Sequence, residues 1–206
     1  MKRIIAVFDF DGTITTRDTL LEFIRFAKGR WHFVLGFVLY SPLLIAWKIK
    51  LYPNWKVKQQ LFAFFFKGMK QSDFDHLCEA FCCQSQQLIR QEARKAILHH
   101  LKAQAEVVIA SASIENWVYP FAKQLGISSV LCTPIEMENG YLTGRFASAN
   151  CYGEEKVRRI LERYPDRSEY HLVAYGDSSG DKPMLEWADE KFYKTFECQK
   201  KKNINR

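Results

Sequence analysis

Apolar positions follow two alternating rhythms along this chain. Ile4 to Phe8, Val107 to Ala110 and Leu172 to Tyr175 are short unbroken apolar runs, as expected of strands buried on both faces. After each, apolar residues recur at helical spacing: Ile114 to Leu125, stopped by Gly126; Glu154 to Arg163, stopped near Pro165; and Asp181 to Ala188. Strands alternating with helices predict a Rossmann-like α/β fold, a mostly parallel sheet with helices on both faces. Its ligand site lies beyond the carboxyl ends of the strands. Asp9, Ser111 and Asp177 all fall at such ends.

A strand–helix–strand unit needs about thirty residues, yet more than ninety separate Asp11 from Glu106. The excess reads as an all-helical insertion, with Asn54 and Ser72 as N-caps and Gly68 ending the helix that starts at Asn54. The expected organisation is an α/β core domain of residues 1–15 and 103–199, a helical domain of residues 16–102, and a basic tail of residues 200–206. Asn139-Gly140, between two strand-like runs, predicts a hairpin.

Charge changes this picture little. The chain of 206 residues carries a formal +7, but Lys200, Lys201, Lys202 and Arg206 in the tail supply four of those charges. The remainder argues against a nucleic-acid partner. Six cysteines without framework spacing, and an N-terminal apolar run too short for a signal peptide, predict a reduced cytoplasmic protein. Cys78 and Cys82, with His76 nearby, read as core thiols rather than metal ligands.

One segment departs from a plain soluble pattern. Residues 33–47 carry no charge, but the run is shorter than the roughly 20 residues of a spanning helix, and Pro42 interrupts it. Two short apolar helices are one reading. The other is peripheral contact with the inner membrane surface, with Lys28, Arg30, Lys48 and Lys50 flanking the segment.

The candidate chemistry begins in "AVFDFDGTIT". Two carboxylates one residue apart, at the end of a buried strand, repel each other unless a cation sits between them. Asp9 is placed to attack phosphorus. Asp11, on the same side of an extended segment, is placed to protonate the leaving oxygen. Hard carboxylates also suit Mg²⁺. Asp177 and Asp181 in "GDSSGD" sit in a turn that opens a helix, where an N-cap and a first-turn acid would also be expected. Taken alone, Ser111 reads as an N-cap and Lys156 as a surface lysine.

In this order the motifs resemble the haloacid dehalogenase-like hydrolase superfamily: "DFDGT", then Ser111, Lys156 and "GDSSGD". The resemblance implies a magnesium-dependent phosphatase with Asp9 as nucleophile and Asp11 as general acid and base, its backbone carbonyl also touching the metal. It implies Ser111 and Lys156 as phosphate donors, Asp177 as a metal ligand, and Asp181 as support for the metal shell or Lys156. The helical insertion resembles the cap of the phosphoserine phosphatase-like subfamily IB. That likeness points to Asp18, alternatively a helix N-cap, and to Ala112 and Ser113 as substrate-binding residues. Ala112 and Ser113 stand where true phosphoserine phosphatases carry glycines. "NCYGEEKVRR", "YGDSSGDKPML" and the apolar run are more similar to the group containing a phosphatidylglycerophosphate phosphatase. The partner is then a lipid or small-molecule phosphate, with phosphoserine or another small metabolite as the alternative substrate. A non-catalytic membrane-surface or phosphate-binding adaptor is the reading from another class.

Overall fold

The computed structural model describes residues 2–49 and 51–197. The basic tail, Cys198 and Lys50 therefore lie outside the described residues. The chain starts with strand β1 (Arg3–Phe8), a tight turn over Phe10–Ile14, then α1 (Thr19–Leu39), α2 (Ser41–Lys48), α3 (Asn54–Phe66), α4 (Gln71–Gln84) and α5 (Gln91–Lys102). It continues through β2 (Glu106–Ile114), α6 (Glu115–Gln124), β3 (Ser129–Thr133), β4 (Ile135–Glu138), β5 (Tyr141–Phe146) and α7 (Glu154–Arg163). It closes with β6 (Tyr170–Gly176), α8 (Lys182–Trp187) and β7 (Glu190–Tyr193).

Five strands form one parallel sheet in the order β3-β2-β1-β6-β7. The apolar run of β1 explains its central place. Ala6 and Phe8 pack into the cluster containing α6 and the inserted helices, whereas Ile5 and Val7 face Ile160 of α7 and Met184 of α8. Burial on both faces requires the continuous hydrophobicity seen in the sequence. The chain leaves β1 for β2 on one side and later returns to β6 on the other. The carboxyl end of β1 is thus the switch point where such sheets bind ligands.

β3 and β7 lie beyond the three predicted strands. Both are short edge strands, and Glu190–Tyr193 sets two charged residues before two aromatic ones, so neither forms the longer apolar run that marks a central strand. The Asn139-Gly140 turn joins β4 to β5 as expected, both residues having positive φ. This hairpin docks on α3. A Cβ added at Gly144 would sit 2.9 Å from the Ala63 backbone, so only glycine permits the approach.

Two helix starts differ from expectation. The N-cap of α3 is Pro53 and that of α4 is Lys70, leaving Asn54 and Ser72 inside their helices. Both helices begin on extended backbone without a side-chain cap, so tertiary packing overrides the local preference. Gly68 does follow the end of α3, and its N–H donates to Leu142 O at 2.8 Å. Cys78 and Cys82 are buried core thiols.

In residues 33–47, α1 runs to Leu39 after a kink at Gly29, and Pro42 falls in the first turn of α2, where its missing N–H costs no helix bond. The apolar side chains divide by face. Phe33, Phe37, Tyr40 and Leu44 pack on the core, whereas Val34, Leu35, Val38, Leu39 and Ile45 are exposed. Among the described residues no helix is long and apolar enough to cross a membrane.

Candidate active site

Asp9 follows β1 directly, and its backbone N–H donates to Tyr175 O of β6 at 2.9 Å. The turn after it passes through Gly12 at φ +86. A Cβ there would lie 2.2 Å from Asp177 Oδ2, so glycine is required by both conformation and space. Asp9, Asp177 and Asp181 converge, each with a carboxylate oxygen within 4.8 Å of the others. Arg90, which sequence reasoning did not single out, secures this turn. Its Nε donates to Gly12 O at 3.1 Å and Thr15 O at 3.2 Å, and its Nη1 to Phe196 O at 3.1 Å.

Lys156 is no surface residue. It is 2% exposed, and its Nζ donates to Asp9 Oδ1 and to Asp181 Oδ1, each at 2.6 Å. The first turn of α7 places it there, four residues after Tyr152. Asp181 Oδ2 accepts from Ser178 N at 2.9 Å, Ser178 Oγ at 2.8 Å and Asp177 N at 3.2 Å. With both oxygens engaged, Asp181 orients Lys156 and the turn bearing Asp177.

Asp11 is separately engaged. Its Oδ1 accepts from Thr19 N at 2.7 Å and Thr19 Oγ1 at 2.6 Å, and its Oδ2 accepts from Ser113 Oγ. Its side chain therefore stands outside the cluster of three carboxylates. Ser111 lies within β2 rather than at the N-cap of α6, which is Ile114. Ser111 Oγ accepts from Ser113 N at 3.1 Å, which leaves its hydroxyl proton to donate. Ala112 presents its carbonyl to Thr133 Oγ1 at 3.1 Å.

Asp18 caps α1: its Oδ1 accepts from Leu20 N at 3.0 Å and Leu21 N at 3.4 Å. Its Oδ2 lies 3.9 Å from Lys58 Nζ on α3. Lys58 and Thr19 complete the site around Asp11 and were missed from sequence. Lys58 resembles its neighbour Lys56 in any helical pattern, and Thr19 reads simply as a first-turn residue.

One buried cation, Lys156, is shared between two buried carboxylates, Asp9 and Asp181, with the half-buried Asp11 and Asp177 in the same region, and the titration directions follow. Burial pushes the Asp9 carboxyl up to about 7, the Lys156 ammonium only partly opposing. Burial and then Asp18 raise Asp11, against Lys58, Ser113 and Thr19. Burial and Asp181 raise Asp177. Asp181 is the exception: burial opposes its ionisation, but Lys156 and the Ser178 donors outweigh it and hold it below the carboxylate range. Burial likewise disfavours the Lys156 ammonium, yet Asp9 and Asp181 keep it well above the lysine range.

This donor set fits a hard divalent cation. Every ligand offered is a carboxylate oxygen, and among the described residues Asp9 Oδ2 and Asp177 Oδ2 accept no hydrogen bond, each carboxylate being engaged only through Oδ1.

A family model described as haloacid dehalogenase-like hydrolase matches residues 6–186. Protein CicA of Caulobacter vibrioides is 34% identical over 198 residues, covering 94% of this chain and 86% of CicA. Among solved structures, a Bordetella pertussis protein of unknown function superposes with a TM-score of 0.83 at 18% identity, covering 93% of this chain and 89% of that one. A phosphoserine phosphatase solved as a phospho-aspartyl intermediate analogue gives a TM-score of 0.63 at 17% identity, covering 93% and 86%.

Proposed function

We propose, on the premise that this chain belongs to the haloacid dehalogenase-like hydrolase family, that it is a Mg²⁺-dependent phosphomonoesterase working through an aspartyl-phosphate on Asp9. The observation that carries this reading is the Lys156 bridge between Asp9 and Asp181, with Asp177 beside it, at the carboxyl ends of β1 and β6. In this mechanism a carboxylate oxygen of Asp9 attacks phosphorus and the bond to the leaving alcohol breaks. Asp11, held by Thr19 and Ser113 and raised by burial, protonates the departing oxygen. Asp11 then takes a proton from water, whose oxygen attacks the phosphoenzyme and restores Asp9. Lys156 and the Ser111 hydroxyl donate to the phosphoryl oxygens.

Asp9, Asp177 and the Asp11 backbone carbonyl would hold the metal. Bound there, Mg²⁺ neutralises charge on the carboxylates and the phosphoryl group. Chelation should abolish turnover of an aryl phosphate and Mg²⁺ restore it. Ca²⁺ should inhibit, because its looser shell misplaces the phosphate. Full turnover in excess chelator removes the metal from this mechanism, and no turnover with Mg²⁺ favours the adaptor.

We further take residues 16–102 as a cap domain over a core of residues 1–15 and 103–199. Before α5 the chain returns beside the first boundary: Thr16 N donates to Leu88 O and Arg90 N to Ile14 O, both at 2.8 Å. The substrate of this reading is a lipid phosphate such as phosphatidylglycerophosphate, with contact at the inner membrane surface. The exposed apolar face of α1 and α2 supports it, with Trp31 85% exposed and Lys28, Arg30 and Lys48 nearby. Flotation with anionic vesicles at low salt should carry the protein upward, and Leu35→Ser with Val38→Ser should reduce that fraction severalfold. A wild-type protein that stays entirely at the bottom sinks the membrane contact. The competing small-metabolite reading, phosphoserine included, draws on the Asp18–Lys58 pair, whose opposite charges could meet an amino acid.

A further inference from the structure

A cavity of about 700 Å³ opens between α3, the end of β5 and the loop before α7. Trp55 and Phe146 give it aromatic faces, and Asn54, Gln59, Asn150 and Tyr152 give it amides and a phenol. No Asp, Glu, Lys or Arg lines it.

Two connections tie its wall to the residues of the proposed mechanism, although none of the clustered carboxylates lines it. The Tyr152 ring lies against Gly180, immediately before Asp181: a Cβ on Gly180 would meet the ring at 2.2 Å. The Tyr152 hydroxyl is also 3.1 Å from Ser179 Oγ. Asn150 Oδ1 accepts from Thr133 Oγ1 at 3.1 Å, and the same hydroxyl reaches the carbonyl of Ala112, next to Ser111. Within the wall itself, Gln59 Oε1 accepts from Phe146 N at 3.0 Å, holding α3 to the end of β5.

We propose that this cavity binds the segment of the alcohol next to the ester oxygen, and that this segment is uncharged and hydroxyl-bearing. The inference rests on the phosphatase reading above. Amides and a phenol match hydroxyl groups, and aromatic faces match the carbon skeleton between them. The ammonium and carboxylate of an amino acid would lose hydration here without any charged partner in the lining. Trp55, on the cavity wall, is itself 41% exposed, so an acyl chain on the alcohol has an apolar surface to follow outward. Glycerol phosphate, free or as a lipid headgroup, has the shared chemistry.

The test compares acetyl phosphate, glycerol 3-phosphate, its monoacyl ester and phosphoserine as substrates with Mg²⁺. Either glycerol ester should exceed phosphoserine in kcat/KM by about tenfold or more, the range that a few specific contacts provide. Superiority of the acylated ester assigns the cavity to a lipid headgroup, and parity assigns it to a free polyol phosphate. Trp55→Ala and Tyr152→Ala should each lower the ratio of glycerol ester to acetyl phosphate turnover by about tenfold. A preference for phosphoserine, or equal losses on both substrates, overturns the cavity assignment. Failure of the wild type on all four esters instead sinks the phosphatase reading. The cavity is then judged by equilibrium dialysis of radiolabelled glycerol 3-phosphate: binding weakened about tenfold by Trp55→Ala supports it, and binding that is absent or unchanged overturns it.

Discussion

Asp9→Asn should reduce phosphate-ester turnover by on the order of 10⁴-fold or more, the scale on which loss of a covalent nucleophile is felt. The amide oxygen can still accept from Lys156, as Asp9 Oδ1 does at 2.6 Å, so the geometry is retained while nucleophilic charge is lost. Rapid quench with a labelled ester should trap phosphate on the wild type and none on the variant. Label retained by Asp9→Asn, or wild-type label on a serine or histidine, rejects Asp9 as the nucleophile. Stability supplies the control. The Asp9 carboxyl is raised by burial to about 7 in the fold, above its usual 3.8, so in metal-free protein the wild type loses stability as pH rises between these values. Above pH 7 the variant, which has no such proton to lose, should unfold at a denaturant midpoint no lower than the wild type's. A lower midpoint there would mean that the lost activity reflects damage to the fold.

Lys156→Met should remove both activity and much of the stability. Deleting its ammonium strands Asp9 and Asp181, two buried carboxylates whose partner it is. Breaking a buried pair from one side costs about 3–5 kcal/mol, which in a chain of this size lowers Tm by roughly 6 to 20 °C. Adding Asp181→Asn to Lys156→Met removes one stranded charge and should recover part of that loss without restoring turnover. If the double variant melts no higher than the single, the defect is one of packing rather than of uncompensated charge. The comparison matters because Lys156 fills a core volume as well as neutralising it, being among the largest fully buried side chains.

Residues with one local meaning were legible in the sequence. The unbroken apolar run of Ile4–Phe8 has few other uses than a doubly buried strand, and it led directly to Asp9 at its carboxyl end. Asn139-Gly140 was equally direct, because its backbone demand is local. The edge strands β3 and β7 were not legible, since half-buried strands lack a run that periodicity can detect.

Long-range juxtaposition is what tertiary structure alone decided. Lys156 on α7 reads as a solvated lysine when taken alone and as a phosphate donor only through the motif resemblance; its actual contacts come from the fold, which brings Asp9 and Asp181 to within 2.6 Å of its ammonium. Lys58 and Arg90 belong to the inserted helices, and only the return of the chain at residues 88–90 sets Arg90 against the turn after Asp9. Asp18 shows the opposite limit: its position could mean cap or substrate contact, and folding uses one oxygen for the α1 N-terminus while leaving the other 3.9 Å from Lys58. Sequence order thus determined the three central strands and the carboxylates at their carboxyl ends, because hydrophobic burial and turn chemistry act over a few residues. The neutralisation of those carboxylates was decided in three dimensions, because electrostatic partners are selected by distance through space and not by spacing along the chain.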